Sequence, residues 1–170
     1  MAPSGKPLAR LLTREIGPGH RVVEFGPGTG TVAREDLARG VDERDLVLVE
    51  RCTGFAELLE RQYTAATIVR GDATAEHAAL EGQRHAIDFI VSGLPLVLFN
   101  REQRSRLLAR SNDLLTADGA IYQFTYGGRC PIDRRQLREY GFKARCIGFI
   151  AFNMPPAFVY CIGRVAQGSV

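Results

Sequence analysis

Short apolar runs alternate with amphipathic stretches along most of this chain. Residues 8–16 have helical spacing and are closed by Gly17-Pro18-Gly19. Residues 21–25 form an apolar run that ends in a Gly-rich turn, and residues 31–39 return to helical spacing with Gly40 as the stop. The same alternation predicts strands at 45–50, 67–70, 87–92 and 120–126, with helices at 54–63, 75–80, 102–115 and 132–140 between or after them. Asp118-Gly119 is expected to turn the chain before the fifth strand. Two further strands, 143–150 and 157–163, are separated only by a short proline-containing link. Strand–helix alternation of this kind predicts an α/β fold with a mostly parallel seven-stranded sheet and helices on both faces. The short final link places one antiparallel strand at or near an edge.

With 170 residues, 45% of them apolar and 24% charged, the chain fits a single folded domain over residues 1–170. The formal charge of +3 does not by itself imply nucleic acid. No apolar run is long enough to span a bilayer. Residues 1–14 lack the apolar stretch and cleavage site of a secretory signal. Cys52, Cys130, Cys146 and Cys161 form no C-x-x-C pair, and His20, His77 and His85 are scattered, so no zinc site is expected and the cysteines read as free thiols of a cytoplasmic protein. Oligomeric state is not readable from the chain.

The strongest local signal is Glu24-Phe25-Gly26-Pro27-Gly28-Thr29-Gly30, which follows a strand and opens a helix. Glycines allow a tight turn and close approach of backbone to a ligand, and the helix start offers free N–H groups. The spacing Gly28-x-Gly30-x-x-Ala33 also satisfies a relaxed dinucleotide fingerprint. Glu24, two residues before the first glycine, favours S-adenosylmethionine: a carboxylate there suits an amino group and a sulfonium rather than a pyrophosphate. The chain also leaves no room for a separate substrate domain. A bare strand–helix turn without ligand is the competing reading.

Glu50 ends the second strand, 20 residues after Gly30, where a carboxylate can accept from a ribose diol or simply stand as a solvated strand-end charge. Asp72 ends the third strand, where it can accept from an adenine amino group or cap the following helix. Their neighbours Arg51 and Ala73 join the candidate cofactor-binding set, as do Ser92, Gly93 and Leu94 at the end of the fourth strand.

Ser92-Gly93-Leu94-Pro95-Leu96 faces the crevice in which a transferred methyl would lie. With this segment the chain resembles the bacterial phospholipid N-methyltransferases, within the class I, Rossmann-like methyltransferases. The resemblance runs over residues 3–162. It is carried by residues 26–30, 48–50, 71–73 and 92–96, by Tyr122-Gln123-Phe124-Thr125-Tyr126-Gly127, and by Asn153-Met154-Pro155-Pro156-Ala157. It implies methylation of phosphatidylethanolamine at the cytoplasmic membrane face, with S-adenosylhomocysteine as the product of the cofactor. The headgroup at the membrane surface is then the partner. Such enzymes carry an additional N-terminal amphipathic segment, whereas this chain resembles them from about Ala2-Pro3-Ser4, which predicts an N-terminally short form.

The ribosomal RNA adenine dimethylases are also similar, but their motif is Asn-Leu-Pro followed by an aromatic residue, which holds a flipped base. Ser92 and Leu96 stand at those positions here and supply neither amide pairing nor a stacking face, which argues against nucleic acid. A non-catalytic cofactor-binding module is the remaining alternative.

Two candidates for handling an amine acceptor are Ser92 and Tyr126, each able to orient it by hydrogen bonding. Their plainer readings are a capping serine and a tyrosine packed at a strand end. Phe99, Phe124 and Tyr126 are positioned to line a site for a quaternary ammonium group, each aromatic face contributing about 0.5–2 kcal/mol. No residue stands out as a general base. Arginines cluster at 101, 104, 106 and 110 and again at 129, 134, 135 and 138. They suit anionic lipid, RNA phosphate or a solvated helix face.

Overall fold

Strand β1 (Val22–Phe25) is the pivot of the sheet, hydrogen-bonded in parallel to β2 (Leu46–Glu50) on one side and to β4 (Ile87–Ser92) on the other. A computed structural model describes residues 5–151 and 155–165. The Ala2-Pro3-Ser4 and Asn153-Met154 pieces of the resemblance lie outside the described residues. β3 (Thr67–Arg70) pairs with β2 in parallel, and β5 (Leu115–Thr125) with β4. β7 (Ala157–Arg164) runs antiparallel between β5 and β6 (Phe142–Ile150), giving the order β3-β2-β1-β4-β5-β7-β6. Strand order reverses at β1 and β4, and α/β sheets of this kind bind ligands at the carboxyl ends of such a junction.

The apolar runs explain the layering. All five residues of β2, Leu-Val-Leu-Val-Glu, are buried, as expected of a strand covered on both faces. Its side chains alternate: Leu46 and Leu48 pack on one face, Val47 and Val49 on the other. The first face is covered by α1 (Lys6–Leu12), α2 (Thr31–Ala38) and α3 (Thr53–Gln62), through Leu8, Leu12, Val32, Ala33 and Leu59. The second is covered by α4 (Ala78–Glu81), α5 (Arg101–Leu114) and α6 (Arg134–Glu139), through Leu80, Leu107, Leu108, Leu114 and Leu137. Each fully buried leucine stabilises the fold by about 1.5–3 kcal/mol relative to exposure.

Element ends depart from the sequence reading where side chains intervene. α1 stops at Leu12, four residues early, and Thr13 Oγ1 donates to the Ala9 carbonyl at 3.0 Å. α6 begins later than expected because Asp133 caps it, accepting from the Gln136 N–H at 2.8 Å. Asn100 and Gln103 form a reciprocal capping box that starts α5.

One expectation is corrected. Asp118-Gly119 does not turn the chain ahead of the fifth strand; both residues lie inside β5. Leu115 pairs with Ile87 and Ala120 with Phe89, so the intervening residues bulge out of register. A Cβ on Gly119 would come within 2.9 Å of Leu115 and 3.1 Å of the Ile87 and Asp88 carbonyl oxygens. Turn-forming residues are therefore used here to kink a strand. Among the described residues no helix is long and apolar enough to cross a membrane, and no three His, Cys, Asp or Glu side chains form a group that could hold a metal.

Candidate active site

A cavity of about 350 Å³ opens at the carboxyl ends of the parallel strands. The Gly-rich turn between β1 and α2 forms its floor. Gly28 has φ of +56° and open space where a Cβ would stand, so bare backbone borders the cavity there. Gly30, with φ of +74°, is the N-cap of α2 and does not line the cavity. A Cβ on it would lie 2.8 Å from the Tyr63 ring, and the Tyr63 hydroxyl donates to its carbonyl at 2.8 Å. The third glycine thus lets α3 close against the turn.

Three acids border the cavity. Glu24 occupies an inward-facing strand position at 2% exposure, and its Oε2 has no hydrogen-bond partner. Burial pushes its carboxyl well above the usual range, with Asp36 and Glu50 adding to the shift and the Ala33 N–H opposing it. Glu50 accepts from the Gly28 N–H at 3.0 Å and from the Cys52 N–H at 2.8 Å, which ties β2 to the glycine turn. Asp72 Oδ1 accepts from both the Thr74 N–H (2.8 Å) and the Thr74 hydroxyl (2.7 Å). Those bonds, with Arg51 and Arg106 nearby, hold the Asp72 carboxyl below its ordinary value. Asp72 therefore caps its own turn while bordering the cavity.

Of the residues expected at the site, Glu24, Gly26, Pro27, Gly28, Thr29, Glu50, Arg51, Asp72, Ala73, Gly93, Leu94 and Tyr126 line this cavity together. Ser92 does not. It is fully buried, and its Oγ accepts from the Leu94 N–H at 3.4 Å, the geometry of a serine that shapes the loop after β4. Its burial gives it no face toward the cavity, which corrects the expectation that it meets the acceptor. Phe99 and Phe124 line the cavity as expected, and Phe124 meets Tyr126 edge-on with centroids 5.5 Å apart.

Pro95 of the Ser92-Gly93-Leu94-Pro95-Leu96 motif also lines it, as do Leu12, Thr31, Val32, Cys52 and Phe55, which no motif marks. Gln123, part of the Tyr122–Gly127 motif, has a structural role that the motif does not specify. Fully buried, it donates through Nε2 to the Leu94 carbonyl (3.1 Å) and the Phe124 carbonyl (2.6 Å), linking the ends of β4 and β5.

The cavity's chemistry fits S-adenosylmethionine. A buried carboxyl with one oxygen unpartnered suits a cationic group, a second carboxylate stands fixed by backbone N–H groups, and much of the remaining lining is apolar. No protein-family model matches the chain. An ornithine lipid N-methyltransferase of Singulisphaera acidiphila is 28% identical over 166 residues, covering 94% of this chain and 85% of that protein. A ribosomal RNA small subunit methyltransferase A of Phenylobacterium zucineum is 40% identical over 92 residues, but this covers 52% of the chain and only 30% of that protein. Among solved structures, the 1,6-didemethyltoxoflavin-N1-methyltransferase of Burkholderia thailandensis, bound to S-adenosylhomocysteine, superposes with a TM-score of 0.72. It is 15% identical and covers 94% of this chain and 77% of that one, a likeness of fold. The chain has the fold of the class I methyltransferases, and the groups that line its cavity fit S-adenosylmethionine as the cofactor.

Proposed function

We propose that the chain methylates the amine of a lipid headgroup, with phosphatidylethanolamine as the substrate that the sequence resemblance implies. The observation that carries this reading is the meeting of two groups in one cavity: Glu24, Glu50 and Asp72, on or just after β1, β2 and β3, and the rings of Phe99, Phe124 and Tyr126, on or after β4 and β5. The lipid-methylating relative, matched over 94% of the chain, supports it. So does Leu96, which is buried in the core where an adenine methyltransferase would present an aromatic ring. The single-domain reading of the chain and a place at the inner membrane face belong to the same proposal.

On this reading Glu24 accepts from the cofactor's ammonium group, Glu50 from the ribose diol and Asp72 from the adenine amine. The backbone of Gly26 to Thr29 packs against the cofactor. S-adenosylmethionine, when bound, supplies an electrophilic methyl on a sulfonium. What the protein adds is alignment, since displacement needs donor and acceptor about 3–3.5 Å apart and in line. The acceptor amine must be neutral to attack. The apolar wall of Leu94, Pro95 and Phe99 favours that form by withholding water, and Tyr126 orients the amine through its hydroxyl. The proton leaves to solvent through the open side. As methyls accumulate, the aromatic wall faces a growing cation.

Two measurements test the reading. Labelled S-adenosylmethionine is incubated with the protein and either phosphatidylethanolamine vesicles or ribosomal RNA; label is expected in lipid. Mass spectrometry of lipids from a host lacking phosphatidylcholine should then show methylated headgroups. Label in RNA alone overturns the proposal in favour of a base acceptor. Cofactor binding without turnover on either substrate points to a non-catalytic module.

A further inference from the structure

A cavity of about 350 Å³ is at the lower end of the range for a single small-molecule site, too small to take acyl chains as well as the cofactor. If the acceptor is a lipid, its tails stay outside, and the rim must meet the surface that contains them. The rim is unusual in composition. Of the six large hydrophobic side chains exposed among the described residues, Phe55, Val97, Leu98 and Tyr126 are on segments that follow the carboxyl ends of β2, β4 and β5. Phe55 and Tyr126 line the cavity itself. Val97 and Leu98 lie between its lining residues Pro95 and Phe99, at 60% and 79% exposure. Such a grouping differs from apolar residues scattered singly over a surface, which need no explanation.

The local backbone suits insertion. Residues Leu96–Leu98 form one turn of 3-10 helix anchored by the buried Leu96. The N–H groups of Leu96, Leu98 and Phe99 are bonded within the turn, to Leu94, Pro95 and Leu96 carbonyls at 2.9, 2.9 and 3.2 Å. Moving the Val97 and Leu98 side chains into hydrocarbon therefore leaves these donors satisfied. Charge follows the same rim. Arg51, exposed, borders the cavity, and Arg129 is exposed three residues after Tyr126 with no hydrogen bond or ion pair among the described residues. Cations beside an apolar wedge match an anionic bilayer.

We propose that the Val97-Leu98 turn is a wedge that inserts into an anionic membrane surface and seats the cavity mouth, with Arg51 and Arg129, against the headgroup layer. The proposal rests on the lipid reading above and names the partner of that site.

The test is flotation of the full chain with vesicles of phosphatidylcholine alone or mixed with phosphatidylglycerol. The wild type should float with the mixed vesicles. A Val97→Asp/Leu98→Asp variant should bind them more weakly by at least about tenfold, the effect of keeping even one such side chain out of hydrocarbon. That variant should keep its affinity for S-adenosylhomocysteine, which establishes that it is folded, and its turnover of the water-soluble amine glycerophosphoethanolamine. Arg129→Glu should weaken binding to the mixed vesicles only. Equal flotation of the wild type and the double variant overturns the wedge, as does a wild type that floats with neither composition. Ribosomal RNA binding lost in the double variant, without vesicle binding, assigns the face to RNA and also overturns it. If the soluble amine is methylated while flotation fails, only the wedge falls. If no lipid amine is methylated, the lipid reading falls, and flotation still decides the wedge.

Discussion

Glu24 sits where the strand pattern calls for an apolar residue, and the protein bears the cost of burying a carboxyl whose Oε2 has no hydrogen-bond partner. A cation delivered by the cofactor would relieve that cost. Binding should then release protons, because burial raises the Glu24 carboxyl in the free protein and a neighbouring cation lowers it. Affinity should rise with pH until Glu24 is already ionised without ligand. Calorimetry with S-adenosylhomocysteine in buffers of different ionisation enthalpy reads this directly. Glu24→Gln should abolish the proton release and weaken binding by about 10- to 100-fold, the usual span for a lost charged hydrogen bond.

Asp36 on α2 presents a second case. It is fully buried, neither carboxyl oxygen has a partner, and burial pushes its carboxyl up to about 8, with Glu35 adding and Arg39 opposing. The native state therefore keeps a proton that the unfolded chain releases near its ordinary value of 3.8. Stability should fall as pH rises from about 4 to about 8, by at most about 1.4 kcal/mol per pH unit, and this contribution should then level off. Denaturant titrations of Asp36→Asn should lose that slope and show a more stable protein than the wild type at alkaline pH. At the aromatic wall, Tyr126→Ala should reduce trimethylated product while dimethylated product persists; unchanged product ratios would count against a cation-stabilising role.

At the level of elements, the contact between α3 and the glycine turn is the most consequential joint. Tyr63→Phe removes the hydroxyl's bond to the Gly30 carbonyl and should cost about 1 kcal/mol. Gly30→Ala should cost more than about 2 kcal/mol, since it combines a left-handed backbone with overlap on the Tyr63 ring. Thermal denaturation of both variants checks the order.

These elements also show what could be read in advance. Strands 67–70 and 87–92 were legible to the residue, because each is a short run rich in β-branched residues that stops at a glycine. The kink in β5 was not, since Asp-Gly carries the same local preference whether it ends a strand or bulges one, and only the pairing with β4 decides. At the site, the acids and glycines were visible because chemistry restricts them to few residue types. The roles of Phe55 and Gln123 were not legible: nothing local separates a ring that lines a cavity from one in the core, or a glutamine that bridges two strands from one in solvent. Ser92 was misplaced because a strand-end residue faces a crevice or turns into its own loop according to one torsion.

For the molecule as a whole, ligand and fold are coupled through the three carboxyl ends that Glu24, Glu50 and Asp72 occupy. S-adenosylhomocysteine at about a hundredfold over its dissociation constant should stabilise the protein by about 2.7 kcal/mol. For a chain of this size that corresponds to a rise in melting temperature of about 5–10 °C. A thermal scan with and without the ligand measures it, and no shift would mean that the cavity does not take the cofactor.

The placement of β7 has a consequence for synthesis. The last strand in the described chain does not close an outer edge; it slots between β5 and β6. Until Ala157–Arg164 has left the ribosome, β5 presents a row of unpaired amides and carbonyls beside a half-covered apolar face, and β6 has no strand to join. The nascent chain therefore carries an open, adhesive edge from the emergence of β5 until β7 follows it and seals the sheet between β5 and β6.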